Sequence, residues 1–117
     1  MKAIIYHNAR CSKSRETRSL LESRGVELEV VEYLKTPPTK ETLEDLLGML
    51  GIGACQLIRK SEALYKDQFE TGVPTDEACL KAMIENPILI ERPIVVVGDH
   101  AVLGRPPENV LKLIKEL

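Results

Sequence analysis

The chain has 117 residues, room for one domain at ordinary sizes of about 100 to 150 residues and for little of a second core. Its 16 Lys and Arg against 18 Asp and Glu leave a net charge of -2, so no overall basic field holds a nucleic-acid backbone or an anionic membrane surface, and anion recognition must be local. Aromatic residues make up 3%, which builds the core from Leu, Ile and Val and removes the stacking surfaces that single-stranded nucleic acid uses.

In chain order, Ala3-Ile4-Ile5-Tyr6 is a short unbroken apolar run, expected as a strand buried on both faces. The polar loop His7-Asn8-Ala9-Arg10-Cys11 follows. From Ser12 or Ser14, each a candidate N-cap, a helix carries Leu20 and Leu21 on one side and stops near Gly25. Val26 to Val30 alternates as a strand with one wet face. A strand-helix-strand opening of this kind implies parallel strands with a right-handed crossover.

After Pro37-Pro38, Thr39 caps a helix whose Leu43, Leu46, Leu47 and Leu50 form one stripe ending at Gly51 or Gly53. Ala54 to Ile58 reads as a short turn, followed by Arg59-Lys60, and residues 61 to 69 are weakly patterned. Thr75-Asp76-Glu77 starts a helix with acids at its N-terminus and with Leu80, Met83 and Ile84 facing inward. Ile94 to Val97 is a second buried strand, Gly98-Asp99 a turn and Ala101 to Leu103 its hairpin partner. Pro106-Pro107 then opens a closing helix with Val110, Leu111, Leu113, Ile114 and Leu117. Strand-helix-strand, a helical block, then strand-strand-helix is the thioredoxin-like order. The expected fold is a single α/β domain over 1–117, with a mixed four-stranded sheet and a helical insertion at about 39–86 between its halves.

The three cysteines, Cys11, Cys55 and Cys79, include no C-x-x-C pair and accompany two histidines, so no zinc cage and no bound metal is expected. An odd cysteine count, with no apolar signal segment after Met1-Lys2, predicts free thiols and a cytoplasmic protein. No apolar run approaches the roughly 20 residues of a membrane helix, so no membrane partner is expected.

Cys11 falls where the first strand's carboxyl end meets a helix N-terminus, a setting that lowers thiol pKa values from about 8.5 toward roughly 3.5 to 7.5. Arg10, Lys13, Arg15 and His7 add charge nearby, which makes Cys11 the candidate nucleophile. Cys55 and Cys79, each flanked by apolar residues, read as buried thiols packing as small hydrophobes. A disulfide-exchange motif would need a cysteine at Ser14, and a cysteine-phosphatase loop would need an arginine at Thr17, so neither motif is present. Arg92, just before Pro93 and the third strand, would approach Cys11 in a thioredoxin-like fold. Arg59 and Arg105 also stand at element ends, and the arginine fork suits a tetrahedral oxyanion.

His7-Asn8 with Cys11 and Ser14, Pro37-Pro38-Thr39, Leu57-Ile58-Arg59-Lys60, the run Asn86 to Val95 containing Arg92-Pro93, and Arg105-Pro106 together resemble the glutaredoxin-coupled arsenate reductase family over essentially the whole chain. The resemblance implies that Cys11 is the nucleophile, that Arg59, Arg92 and Arg105 hold the oxyanion, that His7 helps keep Cys11 ionised, and that Pro93 is cis. His7-Asn8-Ala9 and Cys11-Ser12-Lys13-Ser14 stand where members with established arsenate reduction carry His-Asn-Pro and Cys-Gly-Thr-Ser, and so resemble a less characterised branch. The expected activity is reduction of arsenate through a Cys11 adduct, with glutathione as co-substrate, glutaredoxin as partner and no bound cofactor. Two other functions fit the superfamily: an RNA-polymerase-binding stress regulator, though such proteins usually carry a second cysteine where Ser14 stands, and a glutathione-linked thiol reductase with another substrate.

Overall fold

The computed structural model describes every residue except Glu70, Thr71, Val73, Glu116 and Leu117. The chain divides into two compact units, Met1–Thr36 with Arg92–Leu117, and Pro37–Glu91. The insertion expected at about 39–86 lies within the second unit.

The first unit is built on a four-stranded sheet of order β2-β1-β3-β4, in which β1 is Lys2–His7, β2 Glu27–Glu32, β3 Ile94–Val97 and β4 His100–Leu103. β1 runs parallel to β2 and antiparallel to β3, and β3 is antiparallel to β4, so the sheet is mixed. Ile5 pairs with Val30 on one side and with Val95 on the other. The period of two puts Ala3, Ile5, Val95 and Val97 on one face. There they pack with Leu21 of α1 (Ser12–Ser23), with Val110 of a 3₁₀ turn (Pro107–Val110) and with Leu113 of α6 (Leu111–Lys115). Fully burying a side chain such as Ile5 contributes about 1.5–3 kcal/mol. Ile4 and Tyr6 on the opposite face are only half-buried, which corrects the expectation of a first strand buried on both sides. Only β3 is buried at every position. Leu117 of the closing helix lies outside the described residues.

The second unit is helical: α2 (Lys40–Leu50), α3 (Ala54–Leu57), α4 (Ala63–Gln68) and α5 (Asp76–Glu85), then a 3₁₀ turn over Pro87–Leu89. Thr39 and Thr75 cap α2 and α5 through hydroxyls that accept the N–H groups of Thr42 and Ala78, as their positions before each apolar stripe predict. α2 ends at Gly51, whose φ of 69° favours glycine. Ile58 and Ile90 form an antiparallel bridge.

The thiol count needs a correction. Cys55 of α3 and Cys79 of α5 are joined as a disulfide with their Cα atoms 5.3 Å apart, and Cys11 is the free cysteine. The packing of α3 on α5 brings together two residues 24 apart in sequence, and spacing along the chain carries no sign of that approach.

Candidate active site

β1, an interior strand, ends at His7, and the loop that follows is folded back by its own hydrogen bonds. Asn8 Oδ1 accepts the Arg10 N–H at 3.0 Å, the Asn8 carbonyl accepts the Cys11 N–H at 3.0 Å, and Arg15 Nη1 donates to the Ala9 carbonyl at 2.9 Å. These bonds start α1 at Ser12 with Cys11 as N-cap. The expectation of Ser12 or Ser14 as N-cap is corrected, since Ser12 and Ser14 are inside the first turn. The cap position carries the Cys11 thiol.

Ser14 is fully buried and its hydroxyl serves the loop instead. Its Oγ accepts the Asn8 N–H at 3.0 Å and lies 2.7 Å from His7 Nδ1. Ser14 Oγ can accept from Asn8 and still share a second hydrogen bond with Nδ1, in a direction that the His7 tautomer sets. Burial depresses the His7 pKa first, and the positive charges of Arg18 and Arg15 depress it further against the smaller opposing pull of Glu32 and Glu22. His7 is therefore neutral at neutral pH, and its ring bonds to Ser14.

Burial pushes the Cys11 thiol up, but four donors pull it down and prevail: the Ser14 N–H, the Arg92 side chain, the Lys13 N–H and the Arg105 side chain. The Lys13 and Ser14 N–H groups belong to the open first turn of α1, which favours an anion at the cap. Arg105 Nη1 lies 3.8 Å from Cys11 Sγ and also donates to the Arg92 carbonyl at 3.0 Å. Arg92 is 6% exposed, so its permanent charge acts at short range and with little screening.

One side chain outside the expected set, Thr17, and the backbone of Gly104 hold this arrangement. Thr17 is fully buried, and its Oγ1 donates to the Lys13 carbonyl at 2.8 Å and approaches the Gly104 carbonyl at 3.3 Å. The Gly104 N–H in turn donates to the Pro93 carbonyl at 2.9 Å. Pro93 follows a cis peptide bond, as does Pro106. The legible signal for Thr17 is its place with Ser14 and Leu21 at i, i+3 and i+7, where two hydroxyls occupy the inward stripe of α1.

The first unit thus brings Cys11, Arg92 and Arg105 together. Arg59 belongs to the second unit, where its Nη1 meets Glu91 Oε1 at 2.8 Å and its Nε lies 3.2 Å from Glu62 Oε1. No cluster of three or more His, Cys, Asp or Glu side chains suited to a metal occurs among the described residues, and no helix among them is long and apolar enough to cross a membrane.

Comparison with known proteins places this geometry in a family. A protein of Escherichia coli K12 named uncharacterized protein YfgD is 52% identical over 112 residues, 94% of each chain. A Neisseria meningitidis protein named arsenate reductase is 44% identical over 108 residues, covering 91% of this chain and 92% of the other. The solved structure of arsenate reductase from Vibrio cholerae superposes with a TM-score of 0.90 at 46% identity, over 96% of this chain and 97% of that one. The family model described as the ArsC family matches residues 6–113, and the chain belongs to that family.

Proposed function

We propose that this protein reduces arsenate to arsenite at Cys11, with glutathione and glutaredoxin supplying the electrons. The observation that carries the reading is the approach of Arg105 Nη1 to Cys11 Sγ at 3.8 Å beside the open first turn of α1, because an anion bound there meets the nucleophile and its counter-charges together. The relatives named arsenate reductase support arsenate as the anion.

In this reading Arg92 and Arg105 draw arsenate against the thiolate. Cys11 Sγ attacks arsenic and an arsenate oxygen leaves as water after taking up protons, forming a sulfur–arsenic(V) bond. The arginines stabilise the charge gathering on the remaining oxygens. Ser14 supplies no second thiol, so the next one comes from solution. Glutathione thiolate attacks Cys11 Sγ, the sulfur–arsenic bond breaks toward arsenic, and arsenite departs with both electrons. Glutaredoxin then takes the glutathione from Cys11 by thiol–disulfide exchange and restores the thiolate. Arg59 is proposed as a third arginine for the anion on the family resemblance; at rest Glu62 and Glu91 neutralise it. Ser14 acts as a positioning residue for the α1 N–H groups, and His7 acts on Cys11 through Ser14.

Coupled turnover with arsenate, glutathione and glutaredoxin tests the reading. Arsenite is expected from the wild-type protein, and Cys11→Ser is expected to lower the rate by at least about a thousandfold. Equal rates for the two proteins would refute it, and glutathione consumption at Cys11 without arsenite would favour a thiol reductase with another substrate.

A further inference from the structure

The disulfide between Cys55 and Cys79 lies outside the chemistry proposed for Cys11. We propose that this pair is a second redox centre, a disulfide/dithiol couple that exchanges with glutathione through Cys55, with Cys79 as the resolving thiol.

The assignment of roles follows from accessibility. Thiol–disulfide exchange requires an incoming thiolate to approach one sulfur along the disulfide axis. Cys79 is 0% exposed, in a helix where Ala82 and Met83 are also buried. Cys55 is half-buried, so solution thiols meet the bond from its side. Glutathione thiolate attacks the Cys55 sulfur, the Cys55–Cys79 bond breaks, and Cys79 leaves with the bonding electrons and takes up a proton. The product is a mixed disulfide of Cys55 with glutathione. A second glutathione thiolate then displaces Cys55, which is protonated. The pair has gained two electrons and two protons, and two glutathiones have become glutathione disulfide.

A second contact keeps the two sulfurs near each other once the bond is open. The Cys55 N–H donates to Asp76 Oδ1 at 3.0 Å, which ties the first turn of α3 to the start of α5. Gly53 lies so close to the same carboxylate that an added Cβ would be 3.0 Å from Oδ2. Reduction therefore leaves α3 docked on Asp76, and Cys79 remains placed to expel glutathione from Cys55 and close the bond again.

The test uses the full chain carrying Cys11→Ser, so that it is independent of arsenate chemistry. The protein is equilibrated in glutathione buffers from fully oxidised to fully reduced, quenched in acid, alkylated and mapped by mass spectrometry. The linked Cys55–Cys79 peptide is expected to vanish as the buffer becomes reducing and to return on reversal. At intermediate ratios, on the order of tenfold more glutathione is expected on Cys55 than on Cys79. With Cys79→Ala glutathione accumulates on Cys55, and with Cys55→Ala the folded protein stays unmodified at Cys79. A linked peptide that persists at every ratio, equal or greater labelling of Cys79, or two alkylatable thiols in fully oxidised buffer would each overturn the proposal. If either variant fails to fold, the titration of the unaltered pair decides alone.

Discussion

A methyl group added at Gly104 would lie 2.6 Å from Thr17 Oγ1 and 2.9 Å from Pro93 Cγ. The chain leaving β4 and the helix α1 therefore meet at a contact too tight for any side chain. Arg105 is the next residue after Gly104 and Cys11 is the cap of the same helix, so the guanidinium-to-thiol distance is inherited from this contact. Gly104→Ala is expected to cost about 1–3 kcal/mol of stability in urea unfolding, and to slow alkylation of Cys11 at neutral pH as Arg105 shifts. Unchanged stability together with unchanged alkylation would show that the contact sets neither.

The acidity of Cys11 provides a separate measurement. Burial opposes ionisation, while the Arg92 and Arg105 side chains promote it beside the Ser14 and Lys13 N–H groups. Removing either charge leaves burial less opposed, so Arg92→Gln and Arg105→Gln should each raise the pH midpoint for reaction with iodoacetamide. A midpoint that does not move would remove the arginines from the account. The folded thiol ionises below the ordinary thiol range, so this ionisation adds stability that is complete above the ordinary thiol pKa and is lost as pH falls through the folded pKa. Cys11→Ser should flatten that part of the stability profile.

Ser14 and His7 predict the behaviour on the acid side. Ser14→Ala leaves the buried Asn8 N–H and His7 Nδ1 without the hydroxyl that joins them, at a cost of about 2–4 kcal/mol for two lost buried bonds. The folded state holds His7 below its usual 6.5, so between 6.5 and that lower folded value the unfolded chain binds more protons and stability falls as pH falls. Comparison of urea midpoints across this range should give a shallower slope for His7→Asn, which keeps a polar group near Ser14 Oγ and does not titrate. Identical slopes would contradict the neutral, buried imidazole.

Opening the Cys55–Cys79 bond removes a cross-link spanning 24 residues. Loop-closure entropy for a segment of that length predicts a loss of about 2–4 kcal/mol. Urea unfolding with and without dithiothreitol, on protein carrying Cys11→Ser, reads this difference, and coincident curves would contradict it.

Much of this architecture was legible because it rests on local chemistry. The apolar runs at Ile5 and Val95, the hydroxyl caps at Thr39 and Thr75 and the strand-to-helix junction at Cys11 each announce themselves within a few residues. The approach of Arg92 to Cys11 follows from element order, since the loop before β3 returns to the start of α1, whereas Arg105 is placed at Cys11 only by the family resemblance. The disulfide was not legible, because two apolar-flanked cysteines look the same whether they face each other or separate neighbours. Ser14 resembles a cap for a related reason: a hydroxyl near a helix start satisfies the capping pattern, and only the folded loop shows that it bonds to Asn8 and His7. Thr17 and Gly104 act only as a pair, 87 residues apart, and neither residue type alone signals the contact.

The central claim is that Cys11 and its arginines hold an oxyanion at the reacting sulfur. A crystal soaked in arsenate, with arsenic located by its anomalous scattering, tests this most directly. The account predicts arsenic bonded to or in contact with Cys11 Sγ, with its oxygens on Arg92, Arg105 and the first-turn N–H groups of α1. Arsenic absent from Cys11, with Arg105 still seated on the thiol, would contradict it.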